Sequence, residues 1–399
     1  MSFLSIPFEF FIFAATLIAI GIFHRHTLPA AASGLLAVIV YKFVLLGAAE
    51  WLDWSVSLGA HEWTTLANIV LVLLGFAVLA NHFERSQIPK ALPSLLPTDW
   101  TGGLALLGLV FFLSAFLDNI AAAIIGGIMA RHYYRGHVGI GFLAAIVAAS
   151  NAGGAGSVVG DTPTTMMWIS GISARELLPA FLPSLVAFAV FAPLAARLQG
   201  PAPARPPVCG TTAAAIDWGH AAIVLVLLGT IITVNTLGNA LSPVLYRTGP
   251  WLGIGLWIAI AVMAAWRKPD WRGARHAVPS TLFLAALVAL AAMMPVEALP
   301  EASWQTVLGL GFLSSVFDNI PLTALALKQG GYDWALLAYA VGFGGSMMWF
   351  GSSAGVALSN EFSSIRSVTG WVRHGWFIPV AYVAGFFALL AAGGWRPGG

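Results

Sequence analysis

The sequence predicts an all-α polytopic membrane protein made of two inverted repeats, each with five membrane crossings, one re-entrant hairpin and an interrupted helix. The composition, a succession of long apolar runs and two motifs that recur about 200 residues apart support this fold class. The 399 residues are 59% hydrophobic and only 9% charged, with a mean hydropathy of +0.87. Soluble domains carry about a quarter charged residues, so this chain is suited to lipid rather than to water.

Apolar runs recur along the whole chain, and about 20 helical residues are needed to span the hydrocarbon core. The segment 6–23 is interpreted as the first membrane helix rather than a signal peptide, because Glu9 stands where a signal peptide has basic residues. The single Cys209 excludes a disulfide framework. The predicted segments are 6–23, 28–48, 65–80, 103–117, 120–130, 138–172, 178–198, 220–237, 251–266, 281–295, 307–317, 321–327, 336–358 and 376–392.

Two motifs indicate an internal duplication. Residues 114–120 (SAFLDNI) match residues 314–320 (SSVFDNI), and further on Gly-Gly followed by GDT at 160–162 matches Gly-Gly followed by GSS at 351–353. Matches in the same order at similar offsets are typical of duplicated transporter repeats. The Pro-rich run PAPARPP has the composition of a linker. The predicted organisation is a first repeat at 1–200, a cytoplasmic linker at 201–216 and a second repeat at 217–399.

Charges predict the orientation of the helices. Each Asp-Asn motif separates two apolar arms that are too short to span, which is typical of a re-entrant hairpin. With both hairpins returning to their side of entry, thirteen basic residues fall on one face and four on the other, with Lys42 inside a helix; the four are Arg175, Arg247, Lys328 and Arg396. The positive-inside rule then assigns the first face to the cytoplasm. The second repeat is therefore inverted, both termini lie outside, and we expect a multi-pass protein of the cell inner (plasma) membrane.

Three acidic residues lie within apolar stretches: Asp118, Asp161 and Asp318. A charge at mid-membrane costs roughly 2.5–3.5 kcal/mol on insertion scales, and packing alone does not require three of them. Salt bridging or helix capping is the structural alternative, since Asp is a favourable N-cap. The two interpretations overlap, because a capping carboxylate at a half-helix terminus is also a potential ion ligand.

Neighbouring residues complete a hard-oxygen environment suited to a small cation. Asn119 and Asn319 supply amide oxygens, and the glycines of the run 150–157 (SNAGGAGS) permit an unwound helix with free carbonyls. The glycines of the runs 342–346 and 351–355 permit an unwound helix with free carbonyls in the second half as well. Close helix packing through small residues is the alternative explanation for such glycines.

The run DTPTT at 161–165 adds a carboxylate, hydroxyls and a proline that is unsuited to a helix interior. Its counterpart in the second half has Ser352 instead of a carboxylate, so the first half is expected to carry more of the charge. A carboxylate can hold either a proton or a metal ion, and this competition is the minimum needed for exchange. Asp161 and Asp118 are the best candidates for exchanging a proton for a cation.

Other polar residues give weaker signals. Lys42 either pairs with one of the aspartates or extends to an interface. His132 and His137 lie in a predicted cytoplasmic turn, as ordinary interfacial residues or as pH sensors. No Walker A, dinucleotide or zinc motif is present, so neither ATP-driven transport nor a cofactor is expected.

At these residues the sequence resembles the NhaD-type sodium/proton antiporters of the ion transporter superfamily, which also contains citrate, dicarboxylate and arsenite carriers. The matching stretches are 114–125, 150–168, 314–320 and 342–356. The resemblance implies an inverted repeat with two hairpins, cation and proton binding by the Asp-Asn pairs, and dimerisation through scaffold helices. The positions that match the family's polar pattern are Asp118, Asn119, Asn151, Asp161, Thr164, Ser314, Asp318, Asn319 and Ser352.

The sequence departs from the family pattern in the first half. Pro163 stands where those antiporters have threonine, and Ala121–Ala123 where they carry hydroxyls; in the second hairpin Thr323 retains a hydroxyl. These changes remove possible cation ligands and leave the fold prediction unaffected.

The function predicted from the sequence is secondary exchange of Na⁺ or Li⁺ for protons by alternating access. The runner-up is a cation-coupled carrier of citrate or dicarboxylates, with arsenite efflux as a third possibility. A membrane enzyme or a structural scaffold is disfavoured, because no nucleophile–base pair is evident and the mid-membrane ion ligands are duplicated. We expect the bilayer and a second copy of the chain as partners. A net charge of +2 is too small to indicate nucleic-acid binding.

Overall fold

The described part of the protein is helical throughout. A computed structural model describes residues 7–22, 26–91, 96–202, 215–241 and 248–398. Short 3₁₀ turns lie at Leu178–Ala180, Val296–Ala298, Gly345–Met347 and Ser363–Arg366. The α-helices are α1 (Phe8–Ile22), α2 (Thr27–Arg85), α3 (Ile88–Ala91), α4 (Trp100–Ser114), α5 (Asn119–Tyr133), α6 (Ile140–Gly154), α7 (Thr162–Ile169), α8 (Ala174–Leu177), α9 (Phe181–Gln199), α10 (Trp218–Leu241), α11 (Trp251–Ala264), α12 (Trp271–Ala292), α13 (Trp304–Ser314), α14 (Asn319–Gln329), α15 (Trp334–Gly344), α16 (Ser353–Glu361), α17 (Val368–His374) and α18 (Phe377–Gly393).

Several helical segments are suited to a membrane. Within the described residues, four are long and apolar enough to cross it: Thr27–Leu45, Leu66–Arg85, Ala174–Gln199 and Ala274–Ala292. α17 and α18 together form a fifth, bent by 59°. The other apolar helices have 10–17 residues, fewer than the roughly 20 needed for a perpendicular crossing. The chain is therefore a helical membrane protein, while the count of five crossings in each half stays a prediction.

Helix α2 contains two of these spans. The sequence predicts separate crossings at 28–48 and 65–80, whereas the structure has one continuous helical element of 59 residues. A straight helix of that length would be roughly 90 Å long, yet Thr27 and Glu84 line the same cavity. The element therefore turns back between its two spans, Thr27–Leu45 and Leu66–Arg85, which we call the first and the second arm of α2.

The two Asp-Asn motifs form the same hairpin. Asp118 is the N-cap of α5 with φ −51° and ψ 140°, and Asp318 is the N-cap of α14 with φ −54° and ψ 142°. In each case a helix ends at the serine four residues earlier, Ser114 or Ser314, and a short turn leads to the aspartate. The predicted hairpin arms are thus present in both halves.

A helix is interrupted after each hairpin. The predicted segment 138–172 is divided into α6 and α7, and the predicted segment 336–358 is divided into α15 and α16. The chain enters the second helix after each break in the same backbone conformation. The N-cap of α7, Asp161, has φ −142° and ψ 144°, and the N-cap of α16, Ser352, has φ −141° and ψ 151°. Pro163 lies in the first turn of α7, where a missing N–H costs no hydrogen bond.

Each hairpin is fastened to the interrupted helix that follows it. The Ser114 hydroxyl donates to the carbonyl of Ser150, and the Ser314 hydroxyl donates to the carbonyl of Val341 at 2.6 Å. Gly153 packs against the carbonyl of Phe111, and Gly344 packs against the carbonyl of Gly311. Side chains at these glycines would collide with the backbone. Both explanations of the glycine runs therefore hold, because the helices are unwound and also closely packed.

Helices α6 and α15, the first parts of the two interrupted helices, are almost entirely buried. Residues 142–154 of α6 and all of α15 are buried. Tyr339 and Phe343 of α15 stack on each other at a ring distance of 5.5 Å and on Tyr382 of α18 at 5.8 and 6.4 Å. The predicted linker 201–216 falls mostly on residues 203–214, outside the described part of the chain, as do Cys209, Arg25, Arg205 and Arg247.

Lys42 pairs with an acidic residue that the sequence did not suggest. Its Nζ lies 3.1 Å from Oε1 of Glu9, and the two side chains are 14% and 8% exposed. The partner is therefore not one of the three aspartates, as the first of the two alternatives predicted, and the extension of Lys42 to an interface stays a prediction. The packing of α1 against the first arm of α2 brings Glu9 within reach, which hydropathy alone does not reveal.

Removing Lys42 is expected to destabilise the protein. Lys42→Met leaves the Glu9 carboxylate buried without its cation, and breaking such a pair costs on the order of 3 kcal/mol. The double variant Glu9→Gln with Lys42→Met removes both charges and should recover most of the loss. Thermal unfolding of the purified protein in detergent measures both effects. Unchanged stability in Lys42→Met would contradict a stabilising ion pair.

Candidate functional site

A cavity of about 730 Å³ extends from one end of the second arm of α2 to the hairpin tips. Glu84 and His276 lie at its exposed end, and Asp118 and Asp318 lie at the tips. On one side it is lined by α1, α2 and α12, and on the other by α5, the start of α7, and α16. The cavity therefore lies between the group α1, α2 and α12 and the group formed by the two hairpin tips and the interrupted helices.

Asp318 is held at the tip of the second hairpin. Its Oδ1 accepts a hydrogen bond from the backbone N–H of Ile320 at 3.1 Å, and its Oδ2 accepts one from the Ser353 hydroxyl at 3.0 Å. Asp118 has the same backbone conformation and faces the N–H groups of Ile120 and Ala121, but forms no cap hydrogen bond. Helix capping thus accounts for one oxygen of Asp318 and leaves the carboxylate of Asp118 available to the cavity.

Asp161 lies behind the cavity wall in a network of amides. Asn119 Nδ2 donates to Asp161 Oδ1 at 2.8 Å and to Asn151 Oδ1 at 3.0 Å. Asn151 Nδ2 donates in turn to the Ser346 hydroxyl oxygen at 2.9 Å. The network connects the first hairpin, α6, the N-terminus of α7 and, through Ser346, the break in the second half. Residues from both halves therefore meet at this point.

Within the described part of the chain, only one of the two oxygens of the Asp161 carboxylate accepts a side-chain hydrogen bond. The residue is 1% exposed, and its Oδ2 has no hydrogen-bond partner among the described residues. A buried carboxylate without full hydrogen bonding is strongly unfavourable unless it binds a proton or a cation. The arrangement can therefore exchange one for the other.

Hydroxyls of α7 satisfy the backbone at the first break. The Thr164 hydroxyl lies 2.6 Å from the carbonyl of Ser157 and 2.9 Å from that of Asp161, and the Thr165 hydroxyl contacts the carbonyls of Val158 and Asp161. Thr164, predicted as an ion ligand, thus stabilises the unwound segment that positions Asp161. Thr162 is the hydroxyl residue of this run that lines the cavity.

The predicted site residues of the second half have mainly structural contacts. Ser314 donates to Val341, and the Ser352 hydroxyl accepts the N–H of Gly355 at 3.3 Å as an N-cap. Asn319 is buried next to Asp318, and the Thr323 hydroxyl donates to the carbonyl of Asn319. The asymmetry expected from Ser352 is present in these contacts, since the amide network surrounds the carboxylate of the first half.

The structure brings Asp118, Asn119, Asn151, Asp161 and Asp318 into one region, with Thr164, Ser314, Asn319 and Ser352 supporting it. Sequence reasoning missed two hydroxyls. Ser353 is the counterpart of Thr162 in the motif match and was detectable from the repeat. Ser346 has Ala155 as its counterpart, so no signal in the repeat indicated it.

Other titratable groups lie away from this site. His132 in the last turn of α5 and His137 in the connection to α6 are both exposed, and nothing in their contacts distinguishes the two interpretations. His82 and His220 are buried with their Nδ1 atoms 2.8 Å apart, joining α2 to α10. Over the described ranges, no group of three or more His, Cys, Asp or Glu side chains is arranged to hold a metal ion. The candidate ion site depends instead on amide, hydroxyl and carbonyl oxygens around the aspartates.

Comparison with known proteins supports the family resemblance. The chain is 29% identical over 384 residues to sodium/proton antiporter 1 of Arabidopsis thaliana. The aligned region covers 83% of this chain and 63% of that protein. It is 28% identical to sodium/proton antiporter 2 of the same plant, covering 83% and 86%, and 25% identical to the Na⁺/H⁺ antiporter NhaD of Alkalimonas amylolytica, covering 84% and 78%. The chain is related to the NhaD-type sodium/proton antiporters.

The relationship to NhaD-type antiporters extends over most of the chain and includes both Asp-Asn hairpins. The chain spans about 63% of the length of the first Arabidopsis protein. No family model matches it. The relatives are transporters by name, which agrees with the prediction that the chain is not an enzyme.

The amide network predicts unequal roles for the two hairpin asparagines. Asn119→Ala leaves the oxygens of Asn151 and Asp161 without their donor, and an unsatisfied buried polar group costs roughly 1–3 kcal/mol. Asn319→Ala is the matched control, because Gly342 and Ser352 stand at the positions that correspond to Asn151 and Asp161. Thermal unfolding of both variants near neutral pH should show the larger loss in Asn119→Ala. An equal loss would contradict the asymmetry.

Proposed function

We propose that the protein exchanges Na⁺ or Li⁺ for protons across a membrane as a secondary transporter. The observation that carries the proposal is a cavity with Asp118 and Asp318 at its inner end, behind whose wall Asn119 holds the buried carboxylate of Asp161, with Asp161 Oδ2 lacking a hydrogen bond among the described residues. The relatives named as sodium/proton antiporters support the same function. Asp161 and Asp118 exchange proton for cation, and Asp318 and the amides complete the shell.

The charge of the cavity favours a cation over an organic anion. The residues that line it include Glu84, Asp118 and Asp318, and no Lys or Arg is among those described. A citrate or dicarboxylate substrate would need several positive groups to offset these carboxylates. The cavity therefore supports cation exchange over the organic-anion alternative.

The position of the cavity supports alternating access. It lies between α1, α2 and α12 on one side and the hairpin and interrupted-helix elements on the other. In repeat-built transporters one bundle moves against the other around a central site. The first group serves as the scaffold, and the second carries the ion. A cation enters at Glu84 and reaches Asp118 and Asp318 at the tips.

Contacts among the helix ends support the inverted topology. On the predicted cytoplasmic face, Arg85 pairs with Asp270 at 3.5 Å and Arg267 pairs with Asp217 at 3.6 Å. The first hairpin ends on that face, where Arg131 contacts Glu361. The second hairpin ends among a different set of loops, with Lys328 Nζ donating to the carbonyls of Ala292 and Met294 and Gln329 donating to Pro300. Opposite entry of the two hairpins agrees with both sets of contacts.

On this topology the repeats comprise residues 1–200 and 217–399, joined by a cytoplasmic linker at 201–216. Each repeat has five crossings and one hairpin. The protein is a multi-pass protein of the cell inner membrane with both termini outside. It forms a homodimer through scaffold helices, as the resemblance to the antiporters implies.

The direct test uses purified protein in liposomes that carry a pH gradient reported by a pH-sensitive dye. Addition of Na⁺ or Li⁺ should dissipate the gradient as protons exchange for the cation. If neither ion changes the dye signal and the liposomes instead take up labelled citrate or succinate, the proposal is overturned in favour of an organic-anion carrier. Empty liposomes control for leakage.

Asp161→Asn should reduce exchange to the level of empty liposomes, since the amide keeps the shape and the hydrogen bond from Asn119 but cannot release a proton. The control is Asp270→Asn, which removes a partly exposed carboxylate paired with Arg85, a type of pair that contributes at most about 1 kcal/mol. Dye response and expression level are measured for both variants. Retained exchange in well-folded Asp161→Asn would refute the role of Asp161.

The inverted topology predicts which residues an impermeant thiol reagent can reach in intact cells. In a Cys209→Ser background, Glu301→Cys lies before the second hairpin and should be labelled from outside. His137→Cys lies after the first hairpin and should be labelled only after permeabilisation. Both positions are exposed. Labelling of both cysteines from the same side would refute opposite entry of the hairpins.

A further inference from the structure

Two helices run past the inner end of the cavity. His276 of α12 lies at the exposed end, and Leu284 is the last residue of α12 among the described residues that line the cavity. Asp318 is the last lining residue of the second hairpin in the same described set. Helices α12 and α14 continue to Ala292 and Gln329, which is roughly 12–16 Å further. Both helices therefore extend away from the cavity mouth.

Beyond the cavity, α12 and α14 pack against each other through apolar side chains. Helix α12 belongs to the scaffold, and α14 follows the hairpin tip that carries Asp318, so this packing joins the two groups on either side of the cavity. We call its buried core the apolar seal. Its members are Leu287, Ala291 and Met294 in and just after α12, and Ile320, Ala324 and Leu325 in α14.

Lys328 links the far ends of the same two helices. Its Nζ donates to the carbonyl of Ala292 at 2.7 Å and to that of Met294 at 2.5 Å. The last carbonyls of a helix have no partner within it, and a lysine in a last turn commonly satisfies those of its own helix. Lys328 lies in the last turn of α14 but binds the end of α12. Beside it, Gln329 donates to the carbonyl of Pro300 at 2.7 Å.

Ion pairs on the face where the cavity opens have a different arrangement. Arg85 of α2 pairs with Asp270, the N-cap of α12, and Arg131 of α5 pairs with Glu361 of α16. Each of these pairs lies within one group, whereas the hydrogen bonds of Lys328 connect the scaffold to the group that carries the ion. The two groups can therefore be apart at the mouth while they are held together at the opposite end.

We propose that the apolar seal and Lys328 form a gate that closes the ion site on the side opposite the cavity mouth, with Lys328 holding the gate shut. The inference rests on the proposed exchange by alternating access, in which this contact must open in turn. Lys328 is exposed, so water can replace the two carbonyls when α14 moves. It lies about 15 Å along α14 from Asp318, and it therefore positions the helix without binding the ion.

Removing the ammonium group should open the gate more often. Lys328→Met keeps a long side chain but loses the hydrogen bonds to Ala292 and Met294. The reporter is Ala291→Cys in the seal, in a Cys209→Ser background. A charged methanethiosulfonate reagent should label this cysteine at least about fivefold faster when Lys328→Met is added, because the net contribution of one hydrogen bond corresponds to about that factor. Mass spectrometry of the purified protein in detergent measures the labelling rates.

Two controls distinguish gate opening from a general loosening of the protein. Ala148→Cys in α6 places the reporter at an equally buried alanine inside the ion-carrying group, and Lys328→Met should leave its labelling unchanged. Arg175→Met removes an exposed charge from the same predicted face and should leave Ala291→Cys protected. Unchanged labelling of Ala291→Cys in Lys328→Met, or an equal rise at Ala148→Cys, would overturn the inference.

A second variant keeps the test valid if Lys328→Met folds poorly. Leu325→Ala removes apolar contacts from the seal while Lys328 is intact, and it should also speed the labelling of Ala291→Cys but not of Ala148→Cys. Size-exclusion profiles and thermal unfolding in detergent establish that each variant is folded. Wild-type labelling of Ala291→Cys in folded Leu325→Ala would contradict the gate. Failure of the proposed function is distinguishable, because the liposomes would then show no dye response to Na⁺ or Li⁺, whereas labelling reports on the gate without an ion gradient.

Discussion

Polar groups in hydrocarbon must find their partners within the protein, and this constraint explains how the site is built. Each interrupted helix frees backbone carbonyls, and within a membrane such unwound segments are tolerated only against protein or a water-filled cavity. The hairpins provide that protein surface. Ser114 and Ser314 donate to α6 and α15, and Gly153 and Gly344 allow the backbones to approach. The hairpin and the interrupted helix therefore form one unit in each half, and the aspartates lie where the two units meet.

The duplication constrains the backbone more strictly than the side chains. The hairpin caps and the N-caps after the breaks have nearly the same dihedral angles in both halves, while Asp161 and Asn151 are replaced by Ser352 and Gly342. A full second set of carboxylates would add like charges to a site that already has three, and like charges in a low-dielectric region repel strongly. Retaining the carboxylate on one side preserves the backbone unit and limits that repulsion.

Features with a large energetic cost were predictable from the sequence. Ionisable residues in apolar runs, interrupted helices and the repeated Asp-Asn motif each violate a rule for membrane helices, so they identified the hairpin turns at Asp118 and Asp318 and the break before Asp161. Helix pairing was not predictable in the same way. The Glu9–Lys42 ion pair and the contact of Ser346 with Asn151 depend on how distant helices pack. Periodicity within one segment carries no information about that packing.

The departures from the family pattern can be interpreted through the same geometry. Ala121 lines the cavity, whereas Ala122 and Ala123 are buried, so hydroxyls are missing from the hairpin wall that faces the aspartates. Thr323 does not replace them, because its hydroxyl donates to the carbonyl of Asn319 within α14. The hydroxyl residues that line the cavity are Thr27, Thr162, Thr281 and Ser353, and Thr162 and Ser353 lie at the first turns of α7 and α16. On the proposed function, the cation's oxygen ligands have thus shifted from the hairpin to the interrupted helices, which already position Asp161 and bind Asp318.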